Sequence, residues 1–259
     1  MVITTHASLI LTGAGFAAGF VDSIAGGGGI ISLPALLAAG IPPHLALGTN
    51  KLQSALGTSL AGANYARSGL LVRSQIALGM ACTAIGGIGG AIVVTHASPD
   101  GLRLGIPFLL VAVFLYALVS PRFTSDRGGI MRPRMTQVAF SAVCGLILGF
   151  YDGFFGPGVG SFWTLAFVVL LGFSLPQATA NTKAMNLTSN VVALSWFGGH
   201  GHVAWGLGLA MGAANMTGAA IGSSIALRRG ARFIRVVFLI AVAATLAHLV
   251  WQSVIGGYG

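Results

Sequence analysis

The chain has 259 residues, of which 55% are hydrophobic and only 7% charged, with a formal net charge of +9. Soluble domains carry roughly 25% charged residues, so this composition cannot build a water-facing surface and excludes a soluble enzyme or binding module. Disorder needs low hydrophobicity and is excluded as well, which leaves an all-α polytopic membrane protein.

A spanning helix needs about 20 mostly apolar residues. Apolar runs between Gly, Pro and polar breaks cover residues 8–22, 30–39, 44–66, 74–95 and 101–119. The basic stretch SPRFTSDRGGIMRPR follows, and then come runs at 135–152, 161–172, 176–198, 203–227 and 233–250. This predicts a first membrane repeat at 1–119, a basic cytoplasmic linker at 120–134 and a second membrane repeat at 135–259. The opening MVITTHASL lacks the basic region of a signal peptide, so the first run is expected to be retained. Cys82 and Cys144 lie inside apolar runs without metal-ligand spacing, as free thiols would.

The two sets of runs are copies. GFVDSIAGGGG from Gly19 aligns with GFYDGFFGPGV from Gly149 at a shift of 130, which becomes 132 after two extra residues. Thr49, Asn50 and Lys51 then fall on Asn181, Thr182 and Lys183, and Gly86 and Gly90 fall on Gly218 and Gly222. Lys and Arg mark cytoplasmic loops. Arg67 and Arg73 place the loop after the third run inside, and HASPD goes outside. The linker, with Arg122, Arg127, Arg132 and Arg134, goes inside. In the second copy the matching loops swap: GGHGH goes outside, and RRGAR, with Arg228, Arg229 and Arg232, goes inside. These charges predict two inverted-topology repeats, as in many secondary transporters, with both termini outside. Each repeat has about five apolar segments and a Gly-rich break after the first. The short second segment is either a re-entrant return or a tilted crossing.

Three constellations could carry chemistry. The breaks hold Gly26, Gly27, Gly28 and Gly29 in one copy and Gly156, Gly158 and Gly160 in the other. The helix after each break begins with free N–H groups and a positive dipole end, an anion site. Elsewhere, as at Gly86, Gly87 and Gly90, glycine is expected to serve close helix packing. Lys51 and Lys183 lie about 11 Å into their helices, where a charge is a functional hypothesis and snorkelling is the rival. Asn50, Ser54 and Thr58 share one helix face, as do Thr182, Asn186 and Asn190. Asp22 and Asp152 precede the breaks and suit capping, pairing with Lys51 or Lys183, or proton relay. His200 and His202 read as exposed loop histidines, and no metal or nucleophile constellation appears.

GFVDSIAGGGGIISLPALLAAGIPPHLALGTNKLQ and GFYDGFFGPGVGSFWTLAF, with ATANTKAMNLTSN further on, resemble the TauE/SafE family of sulfite exporters. The resemblance spans nearly the whole chain. It implies a bacterial inner-membrane permease of about eight segments that moves sulfite, organosulfonates or related anions, without a shared cofactor. Thr49, Asn50, Lys51, Asn181, Thr182, Lys183 and both Gly-rich stretches match the family's motif positions. The second copy reads Asn-Thr-Lys where the first reads Thr-Asn-Lys, so the half-sites differ chemically.

The resulting expectation is a transporter rather than an enzyme. A small anion would bind between the breaks, with Asn186 and Asn190 adding hydrogen bonds and Asp22 or Asp152 carrying coupling protons. A passive anion channel and, less favoured, a membrane-embedded enzyme of sulfur compounds are the alternatives. The expected partners are the anion and the lipid bilayer; nucleic acid is not expected, and a homodimer is left open.

Overall fold

In lipid, backbone N–H and C=O groups must bond internally, so apolar runs of this length become helices. The computed structural model describes residues 5–102 and 133–255, and these hold helices and no strand. The first half of the chain forms α1 (Thr5–Ala25), α2 (Gly29–Ala38), α3 (Pro43–Arg67) and α4 (Arg73–Thr95). The second forms α5 (Arg134–Phe154), α6 (Val159–Leu171), α7 (Leu175–Gly199) and α8 (Trp205–Ile255). The predicted run 101–119 and linker 120–134 lie almost wholly outside the described residues. Within α8 the backbone breaks at Gly230 (φ 67°, ψ −159°). Only glycine adopts that conformation readily, and it separates the two last predicted segments at RRGAR. Helices α1 and α5 run past Asp22 and Asp152 to Ala25 and Phe154, so both aspartates sit in a final helical turn.

Three described helices are long and apolar enough to cross a membrane: α1 (His6–Ala25), α4 (Ala77–Thr95) and α5 (Arg134–Phe154). Their outward residues, including Leu9, Ile10, Ile85, Val143 and Ile147, are large, apolar and exposed, as lipid contact requires. Helices α3 and α7 are 25 residues each, but they bury Thr49, Asn50, Lys51, Gln53 and Thr58 on one and Thr179, Asn181, Thr182, Lys183, Asn186, Ser189 and Asn190 on the other. They pack against each other in the interior. Two apolar clusters flank them, one around Leu33, Leu36, Phe155 and Phe197 and one around Ile24, Tyr65, Trp163 and Phe167. Each cluster draws on both halves of the chain.

Helix α1 lies along α8, and α4 lies along α5. Glycines let these backbones touch, as small residues do in membranes. Gly15 faces the Met211 backbone and Gly19 faces Asn215; at the repeat shift, Gly145 faces Gly79 and Gly149 faces Thr83. A Cβ on Gly218 would fall 2.1 Å from the Phe16 carbonyl oxygen, and one on Gly86 would fall 2.3 Å from that of Leu146. Gly218→Ala and Gly86→Ala are therefore each expected to cost about 1–3 kcal/mol through overpacking. Gly13 has nothing within 4 Å, so Gly13→Ala should be neutral or stabilising by up to about 1 kcal/mol. Unfolding in detergent checks the contrast.

Candidate functional site

The site begins where α1 and α5 stop. Gly26 has φ 75°, and Gly156 and Gly158 have φ 98° and 80°, so the chain turns at both breaks in left-handed conformations that favour glycine. Helices α2 and α6 restart at Gly29 and Val159 and have 10 and 13 residues. At about 1.5 Å per residue each covers roughly 15–20 Å, well short of a 30 Å hydrocarbon core. The two breaks meet. A Cβ on Gly160 would lie 2.6 Å from the Gly26 Cα and carbonyl oxygen. The Ser161 hydroxyl reaches the carbonyls of Ala25 and Gly26, each at 3.3 Å.

A cavity of about 20 Å³ opens at this junction, roughly the space one water centre needs. All seven glycines singled out in the breaks line it, together with Asp22, Asn50, Lys51, Ser54, Asp152, Asn186 and Asn190. The N–H groups of Gly27, Gly29, Gly158 and Gly160 find no backbone acceptor among the described residues. Gly29 and Gly160 lie in the first turns of α2 and α6, where leading N–H groups lack helical acceptors, and Gly27 and Gly158 lie just before those helices. Asn186 is buried, and its Oδ1 has no hydrogen-bond partner.

Both lysines are buried, so neither reaches the headgroups. The Lys51 ammonium donates to the Asp152 carboxylate at 2.5 Å and to the Asp152 main-chain carbonyl. The Lys183 ammonium donates to the Asp22 main-chain carbonyl and, at 3.1 Å, to its carboxylate. Each lysine thus crosses to the aspartate of the opposite half. There it meets a helix C-terminus, where carbonyls lack helical partners and the dipole is negative. A bound anion would meet neutral Lys–Asp pairs, not two free cations. The pairs are unequal. The Asp152 side chain is 3% exposed and also accepts from the Ser189 hydroxyl. The Asp22 side chain is 20% exposed; it accepts weakly from Thr58 and caps the Gly28 N–H, both at 3.4 Å.

Several sequence candidates sit elsewhere. The Thr49 hydroxyl accepts from the Ala204 N–H at 3.0 Å, and the Asn181 side-chain oxygen accepts from the Val72 N–H at 3.3 Å. Thr49 thus holds the chain entering α8 and Asn181 the chain entering α4, and neither lines the cavity. Thr182 bonds the Thr164 hydroxyl at 3.1 Å. Lys183 acts at Asp22 from behind the lining. Sequence reasoning missed Ser189, Ser32, Gln53 and Asn215. Ser189 is three residues from Asn186 and so on its helix face, a signal that was available; the other three join only through packing.

His202 departs from the exposed-loop expectation. It is half-buried, with its ring 5.3 Å from that of His44. Burial first, then His44 and His200, lowers its pKa below the usual histidine value. His200 is exposed. Cys82 and Cys144 are free thiols. Among the described residues no group of three or more His, Cys, Asp or Glu side chains could hold a metal ion.

The sequence profile of the family described as Sulfite exporter TauE/SafE matches residues 11–249. The chain is 42% identical over 246 residues to the "Probable membrane transporter protein ORF9" of Sinorhizobium sp, covering 94% of this chain and 92% of that one. It is 42% identical over 237 residues to the "Probable membrane transporter protein YfcA" of Escherichia coli strain K12, covering 91% and 87%. A "Probable membrane transporter protein" of Haemophilus influenzae is 38% identical over 245 residues, covering 94% of each chain. No solved structure matches the chain. A family profile spanning nearly the full length, with relatives at this identity and coverage, shows that the chain belongs to the sulfite exporter TauE/SafE family.

Proposed function

We propose that the chain is a secondary transporter that exports a small sulfur-containing oxyanion, sulfite or an organosulfonate, by alternating access across a bacterial inner membrane. The observation that carries this reading is the set of four unbonded backbone N–H groups, two from each break, around one cavity. Such N–H groups with a helix dipole behind them favour anions. Asn50, Ser54, Asn186 and Asn190 add side-chain hydrogen-bonding groups. Lys51 supplies a positive pole beside the site, even though Asp152 neutralises it overall.

A water-sized space is smaller than a four-atom oxyanion. Loading therefore requires the breaks to part, and rocking of two inverted repeats would part them toward one side at a time. The repeat boundaries are 1–119 and 135–259, and both termini face outward in this reading. Export of an anion from a negative-inside cell releases about 2.3 kcal/mol per charge per 100 mV. Coupling protons would use Asp22, the more accessible carboxylate. A passive channel, the alternative, needs a continuous wet path through the protein.

The test is labelled sulfite flux in proteoliposomes, wild type against Lys51→Ala and Lys183→Ala. Saturable flux that a membrane potential drives uphill is expected. Each variant should lose about tenfold or more, the size of a charge-assisted interaction. Unchanged flux in both would remove the lysines from the mechanism, and flux that never saturates would favour the channel.

A further inference from the structure

Asn50 reaches the cavity with a defined polarity. Its side-chain oxygen accepts from the Ser32 hydroxyl at 2.6 Å and from the Gln53 amide N–H2 at 2.9 Å. Both bonds use the oxygen, so the N–H2 group is left over; it has no protein acceptor among the described residues, although Asn50 lines the cavity. The hydroxyls of Ser32, at 2.9 Å, and of Ser54, another lining residue, at 3.2 Å, share the remaining N–H of the Gln53 amide. Gln53 is itself fully buried and outside the lining. Its orientation is set from behind, because its side-chain oxygen accepts from the Asn215 N–H2. Asn215 in turn is wedged against two glycines. A Cβ on Gly57 would fall 1.5 Å from the Asn215 side-chain oxygen, and one on Gly19 would fall 2.7 Å from it.

The second half builds the same four places from other chemistry. At the shift of 132, Ser32 and Asn50 become Thr164 and Thr182, whose hydroxyls bond each other at 3.1 Å. Gln53 and Asn215 correspond to Met185 and Thr83, where the only link is a hydroxyl on sulfur at 3.6 Å. A thioether is a weak acceptor and offers no donor. Among the described residues, the first half therefore carries an amide relay to Asn50 that the second half does not repeat.

We propose that Gln53, clamped by Asn215, is a positioning residue that turns the Asn50 N–H2 into the cavity and so fixes a side-chain donor for an oxyanion on the first half. This rests on the reading that the cavity binds an anion. Gln53→Glu keeps the shape and sets an oxygen against the Asn50 oxygen. Asn50 then turns its N–H2 to the new carboxyl and its carbonyl to the cavity. Gln53→Met copies position 185 and removes the clamp without adding charge.

Labelled sulfite uptake into proteoliposomes, with purified full-length chain, separates KM from maximal rate. Gln53→Glu is expected to raise KM about tenfold or more, as loss of a donor to a charged ligand does. Gln53→Met should raise KM in the same direction by less, with maximal rate near wild type and a lower unfolding midpoint, because the buried Asn215 N–H2 loses its acceptor. A wild-type KM in Gln53→Met overturns the proposal, because charge alone would then explain the Glu variant. Lower unfolding midpoints with unchanged KM in both variants assign a merely structural role and overturn it equally. Should Gln53→Glu fail to fold, Gln53→Met decides alone. Wild-type protein that moves no sulfite overturns the anion reading itself, whereas wild-type transport with unaltered variants overturns only the relay.

Discussion

Gly160→Ala is expected to abolish sulfite flux in proteoliposomes. The added methyl would stand 2.6 Å from both the Cα and the carbonyl oxygen of Gly26, and backbone on that side has no rotamer to give. Overpacking of this kind costs about 1–3 kcal/mol, and here it pushes apart the two breaks that form the cavity. Gly26→Ala should be worse. Its Cβ would meet the Gly160 carbonyl carbon at 2.6 Å, and its φ of 75° is unfavourable for any residue with a Cβ; left-handed backbone adds about 1–2 kcal/mol. Gly27→Ala is the matched control. Its φ is not positive, and its Cβ would meet only the Ile30 methyl at 3.5 Å, so folding should be retained. Wild-type flux in Gly160→Ala would show that the close approach of the breaks is unnecessary for transport.

Breaking the Lys51–Asp152 pair should give the largest loss of stability. Lys51→Met strands a carboxylate whose side chain is 3% exposed, with Ser189 as its remaining side-chain partner. Removing one member of a buried pair typically costs 3–5 kcal/mol, roughly, against a total stability of about 5–15 kcal/mol. The double variant Lys51→Met/Asp152→Asn removes both charges and should recover much of that loss, since uncharged replacements of buried pairs are often near neutral. Lys183→Met leaves Asp22 at 20% exposure, where water can take over part of the solvation, so its cost should be smaller. Unfolding midpoints of the single and double variants test the order. Equal losses for Lys51→Met and Lys183→Met would contradict the inequality of the two pairs.

Much of the fold was legible because lipid imposes strong local rules. Apolar length marks α1, α4 and α5, and clustered glycines mark the places where α1 and α5 end. Gly19 and Gly149, which the shift of 130 aligns, lie against Asn215 and Thr83. The site was legible only in part. Helix periodicity put Asn50 and Ser54 on one face and Asn186 and Asn190 on another, and these four line the cavity. Thr49 and Asn181 belonged to the same motifs, yet each is one residue earlier on its helix, about 100° around the axis, and so each bonds a loop.

Composition and local pattern determined that the chain is a helical membrane protein with two broken helices and two lysines at depth. They could do so because hydropathy, glycine content and helical period act over a few turns. Tertiary structure alone decided the partners. Lys51 meets Asp152, Lys183 meets Asp22, and Gln53 meets Asn215, across 101, 161 and 162 residues of sequence. A buried charge or amide takes whichever group the packing brings within hydrogen-bond reach. That packing is set where glycine surfaces let α1 approach α8 and α4 approach α5, a choice of facing surfaces that no single helix contains.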